Sequence, residues 1–415
     1  MNSLLFLDRK KIAGVGINYL IILFAFVVPI SRAGISILSV LMILLWLIEG
    51  DFKRKIEQLK DNSIIIALGL FIVFSYISIS WSDINNIKDG LDTATKTLRL
   101  IFLPLLVIST SLRAENISKV ITAFLLGMLI SEILSYGIFF ELWILPYGVG
   151  VPHDPTPFMH HLDYATFLTF TSLLLLNRFF ATNSMGLRIF YFIYFLFVTS
   201  NLFLNGGRTG HFAFAVSIFV VGFLNIKSKI KAFFSMLLLV AAIFYTAYHV
   251  SPVFKTRFDQ GAKEISHIKA DSTSQYQGSF GMRLGSWIVS IDIIKENFFL
   301  GVGAGSEGDA IRTYALKNED MSLHVVNDVG NFHNQFVEIF VRAGIVGFAF
   351  YIMIWYSIAK ISIKSSGLSN LRYIFITVFS AASMVENIFE NQFPMALFVL
   401  FIGIFIVASR DKLHI

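Results

Sequence analysis

The sequence contains no cysteine, which excludes thiol catalysis, disulfides and cysteine-held metal centres. Charge is also scarce. Asp, Glu, Lys and Arg make up 14% of the chain, against 56% hydrophobic residues. A chain so poor in charge could not cover itself in water, so an ordinary soluble helical domain is excluded. No cleavable signal peptide is expected, and there is no low-complexity tract. No internal repeat appears, which leaves an inverted-repeat transporter without sequence support. Nor is there an Asp-X-Asp cluster of the kind that holds a divalent ion, and no cofactor or metal is expected.

What the chain does have is apolar blocks of membrane-spanning length, since each helical residue rises only about 1.5 Å. The expected spans are 12–30, 33–48, 64–81, 98–112, 120–140, 164–176, 189–204, 212–224, 232–249, 336–358, 373–388 and 395–408. Forty-four phenylalanines suit lipid-facing surfaces. The net charge of +6 forms no single stripe, which argues against a nucleic-acid partner. The basic residues instead cluster at alternate joints: Arg9, Lys10 and Lys11; Lys53, Arg54, Lys55 and Lys60; Arg113 and Lys119; Arg178 and Arg188. Lys227, Lys229 and Lys231 follow, then Lys360, Lys364 and Arg372, then Arg410 and Lys412. By the positive-inside rule both termini are cytoplasmic. The expectation is an all-α integral membrane protein of about twelve transmembrane helices, with one large, partly helical outer loop. Its parts are helices one to nine over 1–251, the loop over 252–332, and helices ten to twelve over 333–415. A polar stretch, 81–97, reads as an amphipathic helix on the membrane surface, and 282–298 as a helix within the loop.

The polar residues with chemical potential gather on the outer side. Asn205-Gly206-Gly207-Arg208-Thr209-Gly210-His211 starts the eighth span, where glycine amides could face an anion and Arg208 adds positive charge to a helix start. Gly281-Met282-Arg283-Leu284-Gly285 opens the loop helix, placing Arg283 in its first turn, where a negative partner is expected. A glycine-rich turn, Gly301-Val302-Gly303-Ala304-Gly305, ends that helix. Asn331-Phe332-His333-Asn334-Gln335 precedes the tenth span, and histidine is a natural general base near neutrality; His324 is a less well placed competitor. Glu386 and Glu390, four apart at the end of the eleventh span, share a helix face and could orient an arginine. Glu132 is a further intramembrane acid with no assigned role. Histidines and aspartates also recur over 152–164, but the prolines there make a poor metal-ligand frame.

In this order the segments resemble the O-antigen ligase and polymerase family of lipid-linked glycan transferases. The matched features are Arg208-Thr209-Gly210, the Arg283 helix, the Gly301–Gly305 turn, His333-Asn334 with Gly344-Ile345-Val346-Gly347 after it, and the acidic segment 386–392. His160-His161-Leu162-Asp163-Tyr164 looks like a motif of the ligase branch. The resemblance implies a GT-C-like glycosyltransferase of the bacterial inner membrane with a site facing the periplasm. It implies an undecaprenyl-diphosphate-linked glycan as donor and, for a ligase, a lipid A–core oligosaccharide hydroxyl as acceptor. His333 would be the general base, and Arg208 and Arg283 would bind the diphosphate without a metal. Asn334, Glu386, Glu390 and His161 would support them, and the anomeric carbon would invert. A polymerase that extends the lipid-linked glycan is the alternative. A polysaccharide transporter or flippase is a more distant one, since transport sites lie near the bilayer midplane.

Overall fold

The computed structural model describes residues 2–143, 150–268, 278–317 and 330–410. His324 and Lys412 lie outside the described residues. The helices are α1 Asn2–Val27, α2 Arg32–Glu49, α3 Phe52–Leu59, α4 Ser63–Ser78, α5 Ile87–Thr97, α6 Leu103–Ser111, α7 Ile117–Phe139, α8 His161–Ala181 and α9 Met185–Leu204. They continue with α10 Arg208–Asn225, α11 Lys229–Val250, α12 Pro252–Ile268, α13 Gly278–Glu296, α14 Glu307–Lys317, α15 Gln335–Lys360, α16 Ser366–Ser383 and α17 Gln392–Arg410. Among the described residues there is no β-strand, only an isolated bridge between Val151 and Asp154.

The protein is an all-α integral membrane protein. Nine of the described helices are long and apolar enough to cross a bilayer. The other expected spans fall on a shorter apolar stretch, Ile12–Val27, on α6, and on α16, which carries Arg372. Two helices, α8 and α17, form the interior. The second is buried without interruption from Phe393 to Ala408, as befits a helix that is apolar on every side. By contrast α2 and α11 turn most of their apolar surface outward, including Leu44, Leu47, Phe234 and Leu238. That surface has no water-compatible face, so lipid is its natural neighbour.

Three sequence expectations change. The 81–97 segment is not a separate surface helix: α5 runs on through a π-turn, Leu98–Phe102, straight into α6. The loop helix begins earlier than expected, at Gly278, so Arg283 sits in the second turn and not at the start. The loop also holds α12 and α14, and the amphipathic α3 follows α2.

A break in α15 ties the loop to the membrane domain. Gly344 adopts φ 59° and ψ −166°, which interrupts the helix. A break inside a membrane leaves amides and carbonyls that must find partners in protein. The 298–303 turn supplies them. Val302 and Gly303 N–H donate to the Val341 and Arg342 carbonyls at 2.9 and 3.0 Å, and Ile345 N–H donates to the Phe298 carbonyl at 2.8 Å. A side chain at Gly344 would put its Cβ 2.3 Å from the Phe299 carbonyl oxygen, so only glycine permits this approach. The glycine-rich turn therefore packs rather than cradles. Farther along, Ser82 Oγ donates to the Ala304 carbonyl at 2.8 Å, fixing the turn against the segment before α5.

Candidate functional site

Two chain segments meet at one end of the bundle: 331–335, which leads into α15, and 384–391, which follows α16. His333 has a left-handed backbone, φ 46°. For a residue with a Cβ this conformation costs on the order of 1–2 kcal/mol, so the neighbours must enforce it. Asn331 Oδ1 accepts the His333 N–H at 2.9 Å. The Phe332 ring is fully buried, its carbonyl accepts Trp287 Nε1–H at 2.9 Å, and its N–H donates to Glu338 at 3.2 Å. On the other side Asn334 caps α15, accepting the Phe336 and Val337 amides at 3.0 and 3.2 Å. Asn334 thus acts through the backbone, as Asn commonly does at a helix start.

Glu386 joins this segment to the loop. Its Oε1 lies 3.1 Å from His333 Nδ1 and its Oε2 lies 3.3 Å from Arg283 Nη2. Facing a carboxylate, Nδ1 carries the proton in the neutral ring, and Nε2 keeps its lone pair. Burial would push the Glu386 carboxyl up. The hydrogen bond and charge of His333, then the Arg283 charge, outweigh burial and hold it below the ordinary glutamate value. Arg283 Nη1 donates to Ser279 Oγ at 2.9 Å, whereas its Nε is buried with no hydrogen-bond partner among the described residues. Exposure falls from 29% for the His333 side chain to 14% for Arg283 and 9% for Glu386, so the imidazole is the most accessible of the three.

Arg208 is the first residue of α10, as expected, and it reaches the loop through α12. Its Nη1 lies 3.4 Å from Glu264 on α12, and Glu264 Oε2 accepts the Phe280 N–H at 2.8 Å. Arg208 and Arg283 are therefore both tied to the first turn of α13, through Glu264 and Ser279. The glycine amides expected to face a ligand are occupied. Gly206 N–H donates to Asp154 at 3.1 Å and Gly207 N–H to Asn205 Oδ1 at 2.7 Å. Gly207 serves close packing instead: a Cβ there would lie 2.6 Å from the His161 carbonyl oxygen.

His161 pairs with Asp154 at 2.9 Å. Burial raises the Asp154 carboxyl, but the His161 hydrogen bond and charge prevail and lower it. His161 thus braces the turn before Arg208, while its neighbour His160 lies in the field of Glu386. Glu386 and Glu390 do not share a helix face. Helix α16 ends at Ser383, and a short 3-10 turn, Ile388–Glu390, separates the roles of the two acids. Glu390 accepts from Asn387 Nδ2 at 3.4 Å. Glu132 is fully buried in α7, and neither carboxylate oxygen has a hydrogen-bond partner among the described residues. Among those residues no group of three or more His, Asp or Glu side chains could hold a metal ion.

The sequence reading passed over Glu338, Arg342 and Glu307. Glu338 accepts from Phe332 N–H, from Asn387 Nδ2 at 3.0 Å and from Arg342 Nη2 at 3.3 Å, and Arg342 also pairs with Glu307. One carboxylate therefore fastens the His333 segment to the Glu386 segment. An acid and an arginine four apart in an apolar span is a signal the sequence did carry.

An O-antigen ligase family model matches residues 192–352. That interval contains Arg208, Arg283 and His333, and omits His161 and Glu386. A protein of Haemophilus influenzae described as uncharacterised is 25% identical over 379 residues, covering 90% of this chain and 91% of its own length. The match over residues 192–352, on the part of the chain that joins both arginines to the histidine, supports the O-antigen ligase and polymerase family for this membrane protein.

Proposed function

We propose that this protein is an O-antigen ligase that transfers a glycan from undecaprenyl diphosphate to a lipid A–core sugar hydroxyl at the periplasmic face of the inner membrane. The observation that carries the reading is the Glu386 carboxylate set between the His333 imidazole and the Arg283 guanidinium. A base and an anion-binding cation share one orienting group.

In this reaction His333 Nε2 takes the acceptor proton as the acceptor oxygen bonds to the anomeric carbon. The bond from that carbon to the diphosphate oxygen breaks, and its electron pair leaves on the diphosphate. Attack opposite the leaving group inverts the carbon. Glu386 holds the imidazole in the tautomer that presents Nε2 and stabilises the cation formed when it is protonated. Arg283, paired with the carboxylate that orients the base, and Arg208, at the start of α10, are suited to accumulating phosphate charge. Two guanidiniums supply this charge without a metal, so transfer should persist in the presence of a chelator.

The test is deletion of the gene followed by inspection of surface lipopolysaccharide. A ligase null leaves bare core while lipid-linked polymer accumulates. Core bearing a single repeat unit would instead identify a polymerase and overturn the ligase reading.

A further inference from the structure

A groove runs beside the candidate site, along the far end of the 384–391 turn. It has a volume of about 490 Å³ and is lined by Arg32, Lys96 and Arg99 together with Asp92 and Glu390. Lys96 donates its ammonium to the Glu390 carbonyl, so it is anchored. The two arginines differ. Arg32 stands 5.4 Å from the Phe393 ring centroid, and neither Arg32 nor Arg99 forms an ion pair with a carboxylate among the described residues. Both are exposed. Exposed, unpaired guanidiniums at the end of a transmembrane bundle are suited to lipid phosphate.

A second space of about 160 Å³ adjoins the groove and shares Lys96 and Glu390 with it. Phe71, Ile101, Ile354, Trp355, Met395 and Phe398 give it a largely apolar side, while Thr93, Thr97, Gln335 and Arg342 line the rest. A basic groove adjoining a cavity with an apolar side has the form of a site for an anionic amphiphile. We infer that this groove and cavity bind a phosphorylated lipid, headgroup on Arg32 and Arg99 and part of a tail against Trp355 and Met395. Resting on the proposed function, the lipid is assigned as the acceptor glycolipid, because Arg208 and Arg283 already face the donor diphosphate. The turn from Glu386 to Glu390 would then have the base at one end and the acceptor anchor at the other.

The test uses the full chain in nanodiscs, offered lipid A–core oligosaccharide with both lipid A phosphates, the same glycolipid dephosphorylated, or phosphatidylglycerol, with the lipid-linked donor present for transfer. Bound lipid is quantified by native mass spectrometry, and transfer by acceptor and donor KM. Wild type should retain phosphorylated over dephosphorylated lipid A. Arg32→Gln and Arg99→Gln should each weaken that preference roughly fivefold, and about 25-fold together, the value of one cation near a lipid phosphate. The acceptor KM should rise with it while the donor KM stays level. Met395→Trp, which fills the cavity, should weaken both lipid A forms alike. Unchanged preference in the double variant would overturn the groove. Equal retention of phosphatidylglycerol would overturn the acceptor assignment in favour of bulk lipid. If wild type prefers phosphorylated lipid A–core yet transfers no glycan to it, the ligase reading fails while the groove stands. Normal transfer with an indifferent double variant gives the reverse.

Discussion

Two carboxylates in this protein each sit between two basic side chains, in clusters near opposite ends of α2. Beside the start of that helix, Glu386 bridges His333 and Arg283; Gln392 of the same turn region donates to the Arg32 carbonyl at 3.2 Å. At the other end, Glu49 bridges Lys55 at 2.8 Å and Arg54 at 3.6 Å. In the Glu49 cluster Lys55 is saturated, although Arg54 is 40% exposed. Lys55 is 1% exposed, donates to the Trp46 carbonyl at 2.7 Å, and lies 4.5 Å from the Trp46 ring centroid. The Glu386 cluster is not saturated. Among the described residues the buried Arg283 Nε lacks a partner, His333 remains accessible, and its backbone is left-handed. A polar cluster that serves only the fold closes on itself, whereas one that must receive a substrate keeps donors and acceptors open.

Breaking the open cluster should cost activity, and breaking the closed one should cost stability. The largest effect is expected for His333→Ala, which should lower transfer by about 10²–10⁴-fold, the contribution of a positioned general base. Its melting temperature should change little, because the imidazole makes one partly exposed contact; transfer and thermal unfolding measured on the same preparation check both halves. Arg283→Lys should follow, with a loss of about 10²-fold in donor kcat/KM, because an ammonium cannot span two phosphate oxygens as a guanidinium does. Unchanged donor kinetics would remove Arg283 from the diphosphate site.

Lys55→Met should invert the pattern. It leaves Glu49 half-paired and should lower stability by about 3 kcal/mol, with transfer per folded molecule unchanged. Unfolding in a denaturing detergent series, paired with the transfer assay, would show whether the closed cluster is as purely structural as its saturation indicates.

The smallest effect concerns pH. Glu386 is held below its ordinary value in the folded protein, so its contribution to stability is present above the unfolded glutamate value and is lost as pH falls through the lower, folded one. Glu386→Gln should therefore flatten the fall in melting temperature below about pH 4.3. An identical acid profile in wild type and variant would show that His333 and Arg283 do not favour the charged carboxylate.

Much of the site was legible because membrane burial makes polar residues conspicuous. Arg208, Arg283 and His333 stand out against apolar surroundings, and the structure joins all three to one loop helix and its partners. Glu264 gave no signal, since an acid in a polar loop is ordinary until α12 folds back on Arg208. The Glu386–Glu390 expectation failed because helical spacing was extended past Ser383, where the chain turns and sends the two acids to different neighbours. The glycines before Arg208 suggested free amides, yet Asp154 and Asn205 occupy two of them.

The sequence by itself determined that the chain must lie in a bilayer, because its apolar blocks match hydrocarbon thickness and its few charges could not solvate a surface. It also determined which residues had chemistry to offer. Only the tertiary structure decided which of them act together. Glu386 reaches His333 across 53 positions and Arg283 across 103, and hydrophobic periodicity carries no information about contacts between segments so far apart in the chain.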